Sequence, residues 1–337
     1  MNCTALVRVS LPKNLTELVG NSTLRTGAFA GCTALVDVIF NDSLTKIGAY
    51  TFYQCSSLGD IILPDSVSYI DTRAFSDSGL KSIILGDSVE FGSFAFENCA
   101  SLASINLPRE IKNIPQQAFN KCTSLVIDDL NLRYLTGIGA DAFKYTKVKK
   151  VSNLGSVTTV AAFSNCTELT SVNLPPTCTI LGGLSDCTNL TDVIGLEKVK
   201  ELGNNALSGC TNFKQTINMP NLESLGTNYA FTGSGIERVE NLGKVTNIPR
   251  CFDKCPNLKF VRFPSSVTTI HSSVFYTSRA LETLICESAT PPTLSAFNEV
   301  NKTFLIYVPD ASVTAYKEAS GWSGCADRIL PLSEYTE

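Results

Sequence analysis

The chain has 337 residues, 44% of them hydrophobic and 17% charged, with a formal net charge of −4. That much apolar material supports a continuous core and excludes wholesale disorder. Lysines and arginines are spread along the chain, without the concentrated positive stripe a nucleic-acid groove needs, and no run of eighteen apolar residues is long enough to span a membrane.

The first residues, MNCTAL, hold neither a charged leader nor an apolar h-region. They fall in the middle of a repeating unit, from which we expect further residues upstream. The repeat is read from one position, the last of Phe-x-x-Cys. It occurs at Cys3, Cys32, Cys55, Ser78, Cys99, Cys122, Thr146, Cys166, Cys187, Cys210, Ser234, Cys255 and Ser278. After a longer first gap the spacing stays between 20 and 24 residues, giving about 13 units. Three residues before this position stands Phe in ten units, from Phe29 to Phe275, and Leu in two, Leu184 and Leu207.

Each unit continues alike. Cys-Thr is followed by Leu-x-x-Val/Ile-x-Leu, as in LVDVIF, LGDIIL, LASINL and LKFVRF, which predicts a short strand with one buried face. A turn, often with Pro, precedes a second apolar pair such as VSYI or VTTI, and a small residue leads to Ala-Phe. A period near 23 is too short for two helices and too irregular for a hexapeptide β-helix, so the pattern predicts a leucine-rich-repeat solenoid.

The cysteine column has three candidate explanations: metal site, disulfide ladder or packing. Equivalent positions of stacked rungs lie about 4.8 Å apart, within the Cα range of a disulfide but with parallel Cβ vectors. The exceptions decide. Ser78, Thr146, Ser234 and Ser278 occupy the column, and no disulfide partner or zinc ligand is exchangeable for serine. A small buried residue bonding locally to backbone is, so the column is expected to pack the core. In this reading Phe fills the rung and Cys turns the chain back. Cys178, Cys251, Cys286 and Cys325 lie off the column, and the Cys251/Cys255 spacing lacks further ligands nearby. No metal and no cofactor is expected. The only histidine, His271, is expected at a surface turn.

The repeat Cys-Thr-x-Leu-x-x-Ile-x-Leu-Pro-x-Ser-Val-Thr-x-Ile-Gly-x-x-Ala-Phe resembles the BspA-type, or treponemal-type, leucine-rich repeats of bacterial surface proteins. The resemblance covers nearly the whole chain, and includes the tail ATPPTL, IYVPDASVTAYKEASGW and RILPL. It implies a right-handed superhelix of short β-strands and tight turns, spanning 1–285, and a small α/β capping unit at 286–337. In that unit Asp310 to Ser312 are expected to cap a helix carrying Tyr316 and Trp322 over the last rung. The resemblance also implies export and display at the cell surface or outside the cell. Unpaired thiols in this number would ordinarily suggest a reducing compartment; with the resemblance spanning the chain, export is preferred and the thiols are expected to be protected by burial.

Function is expected on the outward strand residues. Before the central Val/Ile of each strand stand Asp37, Asp60, Ser82, Ser104, Lys150, Ser171, Asp192, Arg238 and Phe260. After it stand Ile39, Ile62, Ile84, Asn106, Asn173 and Arg262. Ile39, Ile62 and Ile84 would form an exposed apolar stripe beside Asp37 and Asp60, a candidate surface for an extracellular protein or glycoprotein. β-Branched residues also favour strands for their own sake, and the sequence leaves both readings open. Residues 130 to about 245 are less regular, through bulged rungs or neutral drift. No phosphate loop, nucleophile elbow or carboxylate pair of defensible spacing points to catalysis. The chain therefore reads as a non-enzymatic adhesion or interaction module, with a glycan-binding surface protein or a structural spacer as alternatives.

Overall fold

A computed structural model describes residues 3–298, 300 and 302–336. The chain is a leucine-rich-repeat β-solenoid of about 13 turns and divides into two compact units, Met1–Leu169 and Thr170–Glu337.

In the first unit, one row of strands comes from the Leu-x-x-Val/Ile segments. Arg8–Ser10 pairs with Asp37–Ile39, and Ile61–Ile62, Ser82–Ile84 and Ser104–Ile105 pair in succession, all parallel. A second row comes from the later apolar pairs: Glu17–Leu18, Lys46–Ile47, Tyr69–Ile70 and Glu90–Phe91. The longer first gap has a structural reason. The extra residues form an antiparallel excursion in which Gly20–Asn21 pairs with Thr26–Gly27.

The third edge of each rung is the Ala-Phe turn. Phe29, Phe52, Phe75, Phe96, Phe119, Phe143 and Phe163 stack face to face, with centroids 5.1–5.7 Å apart and planes within 20°. Identical residues at a fixed period put identical rings one rung apart, close enough for direct stacking.

The residue before the cysteine, not the cysteine itself, makes the turn. Gln54, Asp77, Asn98 and Lys121 have φ of 58°, 60°, 57° and 61°. In this left-handed conformation each points its N–H at the next rung, for example Gln54 to the Ser76 carbonyl and Asn98 to that of Asn120. Asn and Asp recur here because they tolerate this region best after glycine.

The cysteines then act as buried donors. The thiols of Cys55, Cys99, Cys122 and Cys166 lie 3.0–3.1 Å from the carbonyls of Phe29, Phe75, Phe96 and Phe143, each one rung back. The bond is thus between rungs rather than local to one turn. Serine does the same work in the second unit, where Ser278 Oγ donates to the Phe252 carbonyl at 2.6 Å. None of the thirteen cysteines is joined in a disulfide, and only Cys3 is exposed. Iodoacetamide applied to the native protein is therefore expected to label Cys3 and spare the other twelve, read by peptide mass spectrometry. Labelling of several core thiols at the rate of Cys3 would contradict this packing.

The second unit repeats the plan. Ser171–Asn173 pairs with Asp192–Ile194, and Ile180–Leu181 with Glu201–Leu202. A six-stranded parallel sheet follows: Ile217–Asn218, Arg238–Asn241, Phe260–Phe263, Thr283–Cys286, Leu305–Val308 and Ile329–Pro331. The strand Thr283–Cys286 runs across position 285/286. The one α-helix among the described residues is Val313–Glu318. Its Tyr316 is fully buried and donates to the Ser288 carbonyl at 2.8 Å. Trp322, equally buried, donates to the Pro292 carbonyl at 2.9 Å and meets Tyr316 edge-on.

The expected cap at Asp310 to Ser312 is corrected. These residues form a 3-10 turn, and Ser312 makes no side-chain bond to the helix N-terminus. Ser312 Oγ instead donates to the Ala289 carbonyl. Asp310 accepts from the backbone N–H of Ser333 at 3.0 Å, a bond that lowers its carboxyl pKa.

Candidate functional site

The Ile39, Ile62 and Ile84 positions lie on one column of the first unit. Ile62 and Ile84 are direct partners in register, and Ser10 partners Ile39. The bond from Gly59 N–H to the Val36 carbonyl, 3.1 Å, carries the same register between the rungs of Ile39 and Ile62. Strand alternation sends Val38, Ile61 and Ile83 into the core and leaves the neighbouring isoleucines outside, at 50%, 69% and 51% exposure. The stripe ends at Asn106. That side chain folds back on the preceding rung, accepting from Leu85 N–H at 2.7 Å and donating to the Leu85 carbonyl at 2.9 Å.

The two acidic residues beside the stripe differ. Asp37 is paired with Arg8 at 2.8 Å, whereas Asp60 is exposed and accepts from Ser82 Oγ at 2.7 Å. The first strand face thus presents an aliphatic column flanked by a neutralised carboxylate and an exposed one.

Phe260, expected outward on the strand face, is 4% exposed. It does point out of the solenoid core, but the C-terminal residues cover it. Phe260, Ile285 and Tyr307 form a second apolar cluster, on which Leu330, Leu332 and Tyr335 pack. The Tyr335 ring lies 6.0 Å from that of Phe260 and 5.1 Å from that of Tyr307. Arg238 stacks on Phe260 with its guanidinium 3.8 Å from the ring centroid, and hydrogen-bonds the Tyr335 side chain. The period holds only part of the signal: Ile285 and Tyr307 follow their central residues just as Ile39, Ile62 and Ile84 do, whereas the covering Leu332 and Tyr335 come after the last strand and outside the repeat.

Arg262, also outward, is engaged by Glu287 at 2.9 Å beside Glu240. His271 is exposed, as expected, and its Nδ1 accepts from Ser273 N–H at 3.0 Å. A shallow cleft of about 260 Å³ beside it is lined by Asn228, Asn247, Thr269 and Thr293. Among the described residues, no group of three or more His, Cys, Asp or Glu side chains is arranged to hold a metal ion. No helix among them is long and apolar enough to cross a membrane.

Stacked parallel rungs of this period define a leucine-rich-repeat protein. The profile of the BspA type leucine rich repeat region matches residues 1–91, 89–214, 136–250 and 184–303. The chain belongs to that family. Solved structures show the same fold. The pneumococcal vaccine antigen PcpA is 15% identical with a TM-score of 0.56, over 97% of this chain and 87% of that one. A leucine rich cell surface protein from Faecalibacterium prausnitzii is 20% identical with a TM-score of 0.50, over 98% and 80%. A leucine-rich repeat protein from Eubacterium ventriosum is 17% identical with a TM-score of 0.53, over 90% and 87%. No curated protein matches the sequence significantly. Family and fold are those of repeat proteins that are generally interaction modules rather than enzymes.

Proposed function

We propose that the chain is an exported, surface-displayed adhesion module that binds an extracellular protein or glycoprotein through the strand face of its first unit. The carrying observation is the column Ile39, Ile62 and Ile84, three large aliphatic side chains at least half exposed on consecutive rungs. A contiguous apolar surface bordered by charge is what a protein partner desolvates, whereas isolated exposed residues carry no such meaning. Surface display is supported by the family and by the description of the F. prausnitzii relative as a cell surface protein. Residues 286–337 serve to close the solenoid, Trp322 and Tyr316 filling its end.

The test is a screen of the chain against immobilised matrix glycoproteins and a glycan array, with an Ile39/Ile62/Ile84→Asp variant beside it. Each substituted side chain is at least half exposed and lies outside the solenoid core, so the melting temperature is expected to hold within a few degrees. Binding to a protein is expected, with a loss of at least about a hundredfold in the variant, since central apolar anchors carry most interface energy. Glycan binding that survives the variant would move both the class of ligand and the site.

A further inference from the structure

The chain carries, on its own second unit, an example of a segment docked on its strand face. Residues 332–335 form a single turn closed by Tyr335 N–H on the Leu332 carbonyl at 3.1 Å. That turn directs two apolar side chains, three residues apart, onto Phe260, Ile285 and Tyr307. Polar bonds fix both ends, Ser333 N–H to Asp310 and Tyr335 to Arg238. In the first unit, Ile39, Ile62 and Ile84 occupy the strand positions that Arg262, Ile285 and Tyr307 hold in the second, one after each central residue. One column over, however, the chemistry is reversed. Where the second unit offers Arg238 to the tyrosine, the first unit offers the exposed carboxylate of Asp60 and the Arg8-paired Asp37.

We propose that the first unit's strand face takes a one-turn peptide segment of a partner protein, with an aliphatic residue and an aromatic residue three positions apart and a Lys or Arg beside them. This rests on the strand-face reading above and names the chemistry of its occupant. The aliphatic and aromatic side chains lie along the isoleucine column, and rungs about 4.8 Å apart let two side chains from one turn reach adjacent isoleucines. The basic residue meets Asp60. An acidic segment, like the chain's own Ser333–Glu334, would face that carboxylate with like charge.

Two synthetic peptides test this, Pro-Leu-Ser-Lys-Tyr-Thr and Pro-Leu-Ser-Glu-Tyr-Thr, followed by saturation-transfer NMR and titration against the full chain. The lysine peptide is expected to receive saturation on its Leu and Tyr protons, and to bind about three- to fivefold tighter than the glutamate peptide, as an exposed ion pair allows. Ile62→Asp is expected to abolish the transfer, and Asp60→Asn to equalise the two peptides. Binding indifferent to Ile62→Asp would place the peptide elsewhere and overturn the proposal. Equal or tighter binding of the glutamate peptide would also overturn it, and would point to the tail of a second copy as the occupant. Failure of this proposal is separable from failure of the strand-face reading. If neither peptide binds while a matrix protein binds in a way that the triple isoleucine variant abolishes, the face stands and the peptide chemistry falls. If the triple variant leaves protein binding intact, both fall.

Discussion

Phe119→Ala is expected to lower the stability of the first unit by about 3–5 kcal/mol, the range for emptying a fully buried aromatic site. Phe119 is wholly buried, stacked at 5.3 Å on both Phe96 and Phe143, and touched edge-on by Phe91. The substitution removes one ring but breaks two stacked contacts, each worth about 0.5–1.5 kcal/mol beyond the area buried. In a solenoid each rung contacts only its neighbours, so the damage falls on the two interfaces that couple the rungs on either side. Urea unfolding should therefore show both a lower midpoint and a shallower transition, as rungs before and after Phe119 cease to melt together. Phe119→Leu is the informative partner. The chain itself places Leu184 and Leu207 at this position, both buried, so leucine is expected to cost well under half as much as alanine. An unfolding free energy within about 1 kcal/mol of wild type for the alanine variant would mean that the ring stack follows from the fold without stabilising it.

The rung plan was legible because it depends on residues that repeat: Phe to stack, Cys or Ser to sit behind it, Val or Ile to alternate. Identical environments at a fixed period leave identical residues, and the period alone shows which side chains meet. The isoleucine column was legible for the same reason, since alternation about Val38, Ile61 and Ile83 assigns its direction. What escaped were features built from unlike residues. The left-handed turn position holds Gln, Asp, Asn, Lys, Tyr and Thr in different rungs, so the backbone, not the side chain, is what repeats there. The direction of the thiol bond, back to the previous rung's Phe carbonyl, is set by the stacking of the rungs and not by the residue type, since Thr146 in the same column bonds the Phe143 carbonyl of its own rung. The strand pattern puts Phe260 on the correct face but gives no sign of its burial, because what covers it, Leu332 and Tyr335, occurs once and outside the period. Asp310 carried a helix-cap signature, yet its carboxylate is spent on Ser333, a contact between residues that only the last strand brings together.

Raising the pH is expected to unfold this protein more steeply than its charge would suggest, and the cysteine column is the reason. Burial pushes the thiols of Cys166, Cys210 and Cys255 from 9.0 up to about 12, against the smaller lowering effect of their hydrogen bonds. The native state holds these protons more tightly than the unfolded chain does. Their contribution to stability is therefore whole below about pH 9 and is lost as the pH rises through the window from 9 to 12, where the unfolded thiols ionise first. Each such thiol steepens the loss by up to about 1.4 kcal/mol per pH unit, so the three together set a ceiling of about 4 kcal/mol per unit. Lysines and tyrosines also titrate in this range, and a comparison removes them. A Cys166/Cys210/Cys255→Ser variant keeps a small donor of the kind the chain itself uses at Ser278, without a group that ionises below pH 12. It is expected to be less stable than wild type at pH 7 and to lose stability less steeply from pH 9 to 11, so that the two urea-midpoint curves converge. Parallel curves would mean that the thiols lose little solvation on folding, against the dry ladder described above. Convergence would tie the thiol column to neutral, protonated packing: a buried thiol that stays protonated is a poor nucleophile, and a cysteine that is a poor nucleophile neither exchanges disulfides nor oxidises readily.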